Sequence, residues 1–107
     1  MTGWAPLEPR FDELIHSPNR LRICAALEAA TEVEFSAVEQ ALGISTSLLS
    51  KQLKVLADAG YLRLDKRPQP LGRPRTWLRL TPRGRDAYLA HIGALRQLID
   101  QAERGAP

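Results

Sequence analysis

Residues 36–60 read Ser36-Ala37-Val38-Glu39-Gln40-Ala41-Leu42-Gly43-Ile44-Ser45-Thr46-Ser47-Leu48-Leu49-Ser50-Lys51-Gln52-Leu53-Lys54-Val55-Leu56-Ala57-Asp58-Ala59-Gly60. Ser36 and Glu39 stand as in a capping box, which predicts the start of a helix. Gly43 offers the left-handed conformation that ends it, Ser45 is a second N-cap residue, and Gly60 stops the helix that follows. Two helices joined by so short a glycine-containing turn predict a helix-turn-helix. At 100° per residue, Leu49, Leu53 and Leu56 fall within about 60° of one another and form a face to bury. Thr46, Ser47, Ser50, Lys51 and Lys54 spread over roughly 140° on the other side. Hydroxyls near the N-terminus allow close approach to base edges in a major groove, and the two lysines can reach bases or phosphates. Such a face alone also fits an ordinary solvated surface. Its neighbours decide.

Tyr61 to Arg67 and Thr76 to Leu80 read as two strands, joined by the proline-rich loop Pro68-Gln69-Pro70-Leu71-Gly72-Arg73-Pro74-Arg75. Arg73 and Arg75 sit on backbone stiffened by proline, so less ordering entropy is lost when the loop docks. Such arginines can enter a narrow minor groove, with Lys66, Arg67 and Arg79 lining the sides for phosphate. Trp77 is expected to pack on the hairpin. Thr81-Pro82 then signals a last helix, running to about Glu103. In it Tyr88, Ile92, Leu95, Ile99 and Ala102 follow a 4-3-4-3 spacing. A helix of that length spans roughly 33 Å, too long for a small core to cover, and an uncovered apolar stripe seeks a second copy. The expected dimer interface is therefore Tyr88, Ile92, Leu95 and Ile99, assisted by Phe11 and Leu14.

Toward the N-terminus, Leu7 to His16 is expected to form a short helix with Phe11, Leu14 and Ile15 on one side. Ser17-Pro18 opens another helix, running to about Ala30, and Val33-Glu34-Phe35 alternates as a very short strand. The expected fold is mainly α with a small β-hairpin (α+β): a winged helix-turn-helix of about five helices, forming a two-fold dimer. Residues 1–107 are expected to be a single domain, with 82–104 as the dimerisation helix.

The 107 residues carry a net charge of +3, with 44% hydrophobic and 25% charged residues, proportions that argue against wholesale disorder. The total hides a division. Ser45–Arg85 carries ten basic residues against Asp58 and Asp65, leaving +8, while the remainder is at −5. A basic segment on an otherwise acidic chain attracts polyanions to one surface. The longest apolar run, Ile23–Leu27, is far short of the ~20 residues a membrane span requires, and the start lacks the pattern of a secretory signal. One cysteine fits a reducing, cytoplasmic setting. Cys24, in an apolar stripe, is expected to be a buried hydrophobe, and His16 and His91 have no further ligand at helical spacing, so no metal or cofactor is expected. Trp4 is an interface anchor or unordered. No phosphate loop or cysteine–histidine constellation is present, so an enzyme is not expected.

Gly43 through Leu56, with Ala59-Gly60-Tyr61-Leu62, resembles the recognition-helix stretch of bacterial MarR- and ArsR-type winged-helix regulators. Pro18-Asn19-Arg20-Leu21-Arg22-Ile23 is similar to the second-helix entry of ArsR-type proteins. Gly72-Arg73-Pro74-Arg75-Thr76-Trp77-Leu78-Arg79-Leu80-Thr81 looks like the wing of MarR-like and PadR-like regulators. The resemblance covers roughly residues 10–90. It implies a homodimeric, cytoplasmic and nucleoid-associated transcription regulator, usually a repressor, reading a pseudo-palindromic double-stranded operator. Helix 45–59 would lie in the major groove and wing 66–76 on the minor groove or backbone. The implied contacts are Thr46, Ser47, Ser50, Lys51, Lys54, Arg67, Arg73 and Arg75. The Cys-x-Cys that ArsR-type metal sensors carry before the recognition helix is missing from Phe35-Ser36-Ala37-Val38-Glu39-Gln40. The alternative is a winged helix used as a protein-interaction module, against which the basic residues on both surfaces argue. A ligand-gated regulator differs only by an added pocket, and no small-molecule effector is legible.

Overall fold

Helix α2 (Phe35–Leu42) stops at Gly43, whose φ of 66° is the left-handed conformation expected there. Two residues on, Ser45 is the extended N-cap of α3 (Thr46–Asp58), its Oγ accepting the Leu48 N–H at 3.1 Å. The helix-turn-helix therefore follows from residue chemistry at its two ends. In the computed structural model, which describes residues 8–105, the other elements are α1 (Pro18–Glu28), β1 (Val33–Glu34), β2 (Leu62–Arg67), β3 (Arg75–Leu80) and α4 (Pro82–Gly105). The strands form an antiparallel sheet in the order β1-β3-β2. Val33 pairs with Leu78, and β2 and β3 pair from Leu62↔Leu80 out to Arg67↔Arg75. The result is an α+β winged helix.

Ile23, Cys24 and Leu27 of α1, Val38 of α2 and the Leu49, Leu53, Leu56 stripe of α3 meet Leu62 and Leu78 of the hairpin in one core. Each such leucine contributes about 1.5–3 kcal/mol by leaving water. Strand alternation turns Leu62 and Leu78 inward and places Arg63, Asp65, Arg67, Trp77 and Arg79 on the outer face of the hairpin. Burial pushes the Cys24 thiol up to about 12, so it packs as a hydrophobe and is no nucleophile.

The start of α4 is pinned to the turn after α3. Thr81 caps the helix, its Oγ1 accepting the Gly84 N–H at 3.0 Å while donating to the Gly60 carbonyl at 2.6 Å. Gly84 lies against the backbone of residue 61: a Cβ there would sit 1.9 Å from the Tyr61 carbonyl oxygen. Only a glycine allows this approach.

Three local expectations are corrected. First, residues 8–16 form no helix, only a turn at 13–15, so four helices are present among the described residues. Asp12 is the reason: its Oδ1 accepts the Leu14 and Ile15 N–H groups, and its own N–H donates to His91. A short polar side chain has offered the backbone an alternative to helix. Second, the Ser36–Glu39 capping box does not form. Pairing with β3 carries β1 to Glu34, which becomes the N-cap; Ser36 Oγ donates to its carboxylate, and Glu39 accepts from Thr46 instead. Third, Ser17 is the N-cap of α1 ahead of Pro18, but its side chain makes no capping bond. Leu7 and Trp4 lie outside the described residues.

Candidate nucleic-acid interface

Thr46, Ser47, Ser50, Lys51 and Lys54 are all exposed, on the side of α3 away from its buried leucines. They are not equally free. Thr46 donates to the Glu39 carboxylate across the turn, and Ser47 Oγ is 3.4 Å from Ser45 Oγ. Lys54 pairs with Asp58 at 3.1 Å, both well exposed, so a stronger anion can displace that partner at small cost. Lys51 has no ion pair among the described residues.

The hairpin supplies the second part. Arg73 and Lys66 are exposed and carry no ion pair among the described residues. Arg75 is exposed with a loose contact to Glu34, 3.4 Å. Ser50 of α3 lines one surface depression together with Glu34, Phe35, Ser36 and the wing residues Pro74, Arg75 and Thr76. The helix face and the wing base are thus parts of a continuous surface.

Arg67, expected at the DNA, is also engaged within the chain. Its guanidinium donates two hydrogen bonds to Glu32, at 2.9 and 2.7 Å, and a third to Asp65 at 3.0 Å. It also lies 5.1 Å over the Trp77 ring. This donation holds the Glu32 carboxyl below the usual carboxylate range and pushes the arginine further up. Arg67 ties the outer face of the hairpin to the segment before β1, while Trp77 packs on the hairpin as expected.

The expected dimer residues divide. Leu14 and Tyr88 pack against the chain's own core, and Ile92 and Leu95 are half-buried. Leu98 and Ile99 are 53% and 56% exposed, and every residue from Arg96 to Gly105 is exposed. Phe11 is exposed but packs at a tilt against His16 and edge-on against His91, with ring centroids 4.8 Å from each.

Sequence reasoning missed the residues that hold α3 in place. Arg20 Nη1 donates to Gln52 Oε1 at 2.6 Å, and Arg22 donates to the Leu42 carbonyl at 2.9 Å, so α1 grips both helices of the motif. These partners lie 32 and 20 residues apart. No local spacing marks them.

The profile of a family described as "Winged helix DNA-binding domain" matches residues 19–99. The chain belongs to that family. No curated protein sequence matches it. A transcriptional regulator homologue from Pyrococcus horikoshii OT3 has a similar solved structure, with a TM-score of 0.78 and 24% identity over 85% of this chain and 89% of that one. The transcriptional repressor BigR from Xylella fastidiosa is similar at 26% identity and a TM-score of 0.57, covering 88% and 84% of the two chains. A MarR-family regulator from Porphyromonas gingivalis W83 is similar at 20% identity and a TM-score of 0.63, covering 88% and 86%. The fold is a winged helix-turn-helix. Among the described residues no helix is long and apolar enough to cross a membrane.

Proposed function

We propose that the chain is a sequence-specific regulator of transcription that binds a pseudo-palindromic DNA duplex as a homodimer. Helix α3 enters the major groove, where Ser47, Ser50 and Lys51 approach base edges; Thr46 and Lys54 contact bases or phosphates after exchanging their present partners. Arg73 and Arg75 of the wing take the minor groove or the backbone, and Lys66 takes phosphate in place of Arg67. The observation that carries this reading is the shared surface of Ser50 and Pro74–Thr76, flanked by Lys51 and Arg73, which have no ion pair among the described residues. The similarity to a repressor supports repression as the sign of regulation. The chain acts as one unit, with 82–104 as its dimerisation helix, and works on DNA in the cytoplasm.

The projecting end of α4 supports the dimer. An isolated helix end with exposed Leu98 and Ile99 gains little from its own propensity, and pairing with a second copy buries both. Two recognition helices then reach half-sites about 34 Å apart. The test is a salt series on a mixed-sequence duplex. Binding should weaken steeply with salt, and Arg73→Ala should lower affinity about tenfold and flatten the slope by about one ion. Equal affinity for wild type and Arg73→Ala rejects the wing contact; no duplex binding at low salt leaves the protein-interaction reading.

A further inference from the structure

His91 of α4 is fully buried and has two polar neighbours. The Asp12 backbone N–H donates to its Nδ1 at 3.0 Å, and its Nε2 lies 3.2 Å from His16 Nδ1. A ring nitrogen that accepts a hydrogen bond carries no proton, so the neutral ring of His91 holds its proton on Nε2. That N–H donates to His16 Nδ1, which places the proton of His16 on its own Nε2. One more proton on His91 sets its Nδ1–H against the Asp12 N–H. The two hydrogen bonds of His91 coexist only while its ring is neutral.

The arm 8–16, which carries Asp12 and His16, also bears on α3. Arg10 N–H donates to the Ala90 carbonyl at 2.9 Å, so the arm 8–16 is tied to α4 by backbone as well. The Leu14 carbonyl accepts from Arg20 Nε, and Arg20 in turn holds Gln52 in the middle of α3. Asp12 Oδ2 accepts the Tyr61 hydroxyl at 2.6 Å, just past the end of α3. The arm therefore braces the recognition helix through Arg20 and the turn after it through Tyr61, and is itself held by the histidine pair.

We infer that His16 and His91 form a proton-operated latch: acid releases the arm from α4, loosens Arg20 and Tyr61 on α3, and weakens DNA binding. The last consequence rests on the function proposed above; the latch itself does not. Glu8 and Arg10 of the arm and Arg83 and Asp86 of α4 line a depression with Phe11 and Asp12. From the arm come the Asp12 carboxylate, which favours an imidazolium but is occupied by two backbone N–H groups and Tyr61, and Glu13, which lines a surface depression with Phe11 and His16. Cys24 of α1 lies near both Asp12 and Arg20, Tyr61 follows α3, and Tyr88 lies one turn away on α4. Burial, then His16, push His91 below its ordinary value, against the weaker pull of Asp12. A depressed value in the folded state means that docking is fully stabilised above about pH 6.5 and is lost as pH falls below it.

The test is an NMR titration of the full chain from pH 7.5 to 5.0 at constant ionic strength, without DNA. At pH 7.5 the His91 ring should be the Nε2–H tautomer. Its protonation midpoint should lie below 6.5, and the Asp12 amide and Gln52 side-chain amide should shift with that same midpoint. An Nδ1–H tautomer, a His91 ring still neutral at pH 5.0, or a Gln52 signal that ignores the His91 midpoint overturns the latch. A mixed-sequence duplex is then added: wild-type affinity should fall at least about threefold between pH 7.5 and 5.0. His91→Asn, whose amide oxygen can accept from Asp12 without titrating, should show no such fall; an equal fall in this variant also overturns the latch. Should that variant not fold, the wild-type co-titration decides. If no duplex binds at any pH, the DNA reading fails and the co-titration alone judges the latch.

Discussion

Two polar regions of the molecule are built on opposite plans. Around Asp12 nearly every polar atom is used: its carboxylate accepts three hydrogen bonds, its N–H donates to His91, and Arg20 bridges the Leu14 carbonyl to Gln52. On α3 and the wing, by contrast, Lys51, Lys66 and Arg73 have no ion pair among the described residues, and Lys54 and Arg75 have exposed ones. A satisfied, part-buried network rigidifies what it touches, whereas cations without carboxylates keep their electrostatic reach for an outside partner. One region holds the other in position.

The two regions join at the start of α4, where the largest effect is expected. Gly84→Ala forces a Cβ into the Tyr61 carbonyl, separating α4 from the turn that follows α3. Backbone has no rotamer to retreat into, so we expect a loss of about 3 kcal/mol or more, read as a lower midpoint in denaturant unfolding. A stability change under about 0.5 kcal/mol would show that α4 does not depend on this contact. A milder effect is expected at the far end of the same helix. Ile99→Asp leaves the core untouched, since Ile99 is 56% exposed, and should convert a dimer at micromolar concentration into a monomer by sedimentation. Retention of the dimer would move the interface off the distal half of α4.

Elements whose signals are local were legible in sequence. Gly43, Ser45 and Thr81 act at helix ends within a few residues of themselves, and the 100° period of Leu49, Leu53 and Leu56 needs no partner to be read. The face of α3 was legible for the same reason. What was not legible lies where a distant partner intervenes. Residues 8–16 have helical spacing but lose their backbone donors to Ala90 and His91. Ser36 and Glu39 have capping-box spacing, but β1 runs on to Glu34 and the helix begins early. Arg67 has the charge and position of a wing contact, and only the fold brings Glu32 beneath it, 35 residues away.

Arg67 therefore offers the finest division between the two plans, and the smallest effect. If it is a brace rather than a DNA contact, Arg67→Gln should lower duplex affinity by less than about threefold, against about tenfold for Arg73→Ala. Its thermal stability should fall, by less than that of Gly84→Ala. Glu32→Gln removes the other half of the pair, and pH separates the two causes. The Glu32 carboxyl is held below its ordinary 4.5, so its stabilising pair is complete above that pH and is lost as pH falls through the lower, folded value. The stability advantage of wild type over Glu32→Gln should be constant near neutrality and shrink below about pH 4.5, as measured by Tm. An advantage unchanged by acid, together with an Arg67→Gln affinity loss as large as that of Arg73→Ala, would transfer Arg67 from the braced region to the free one.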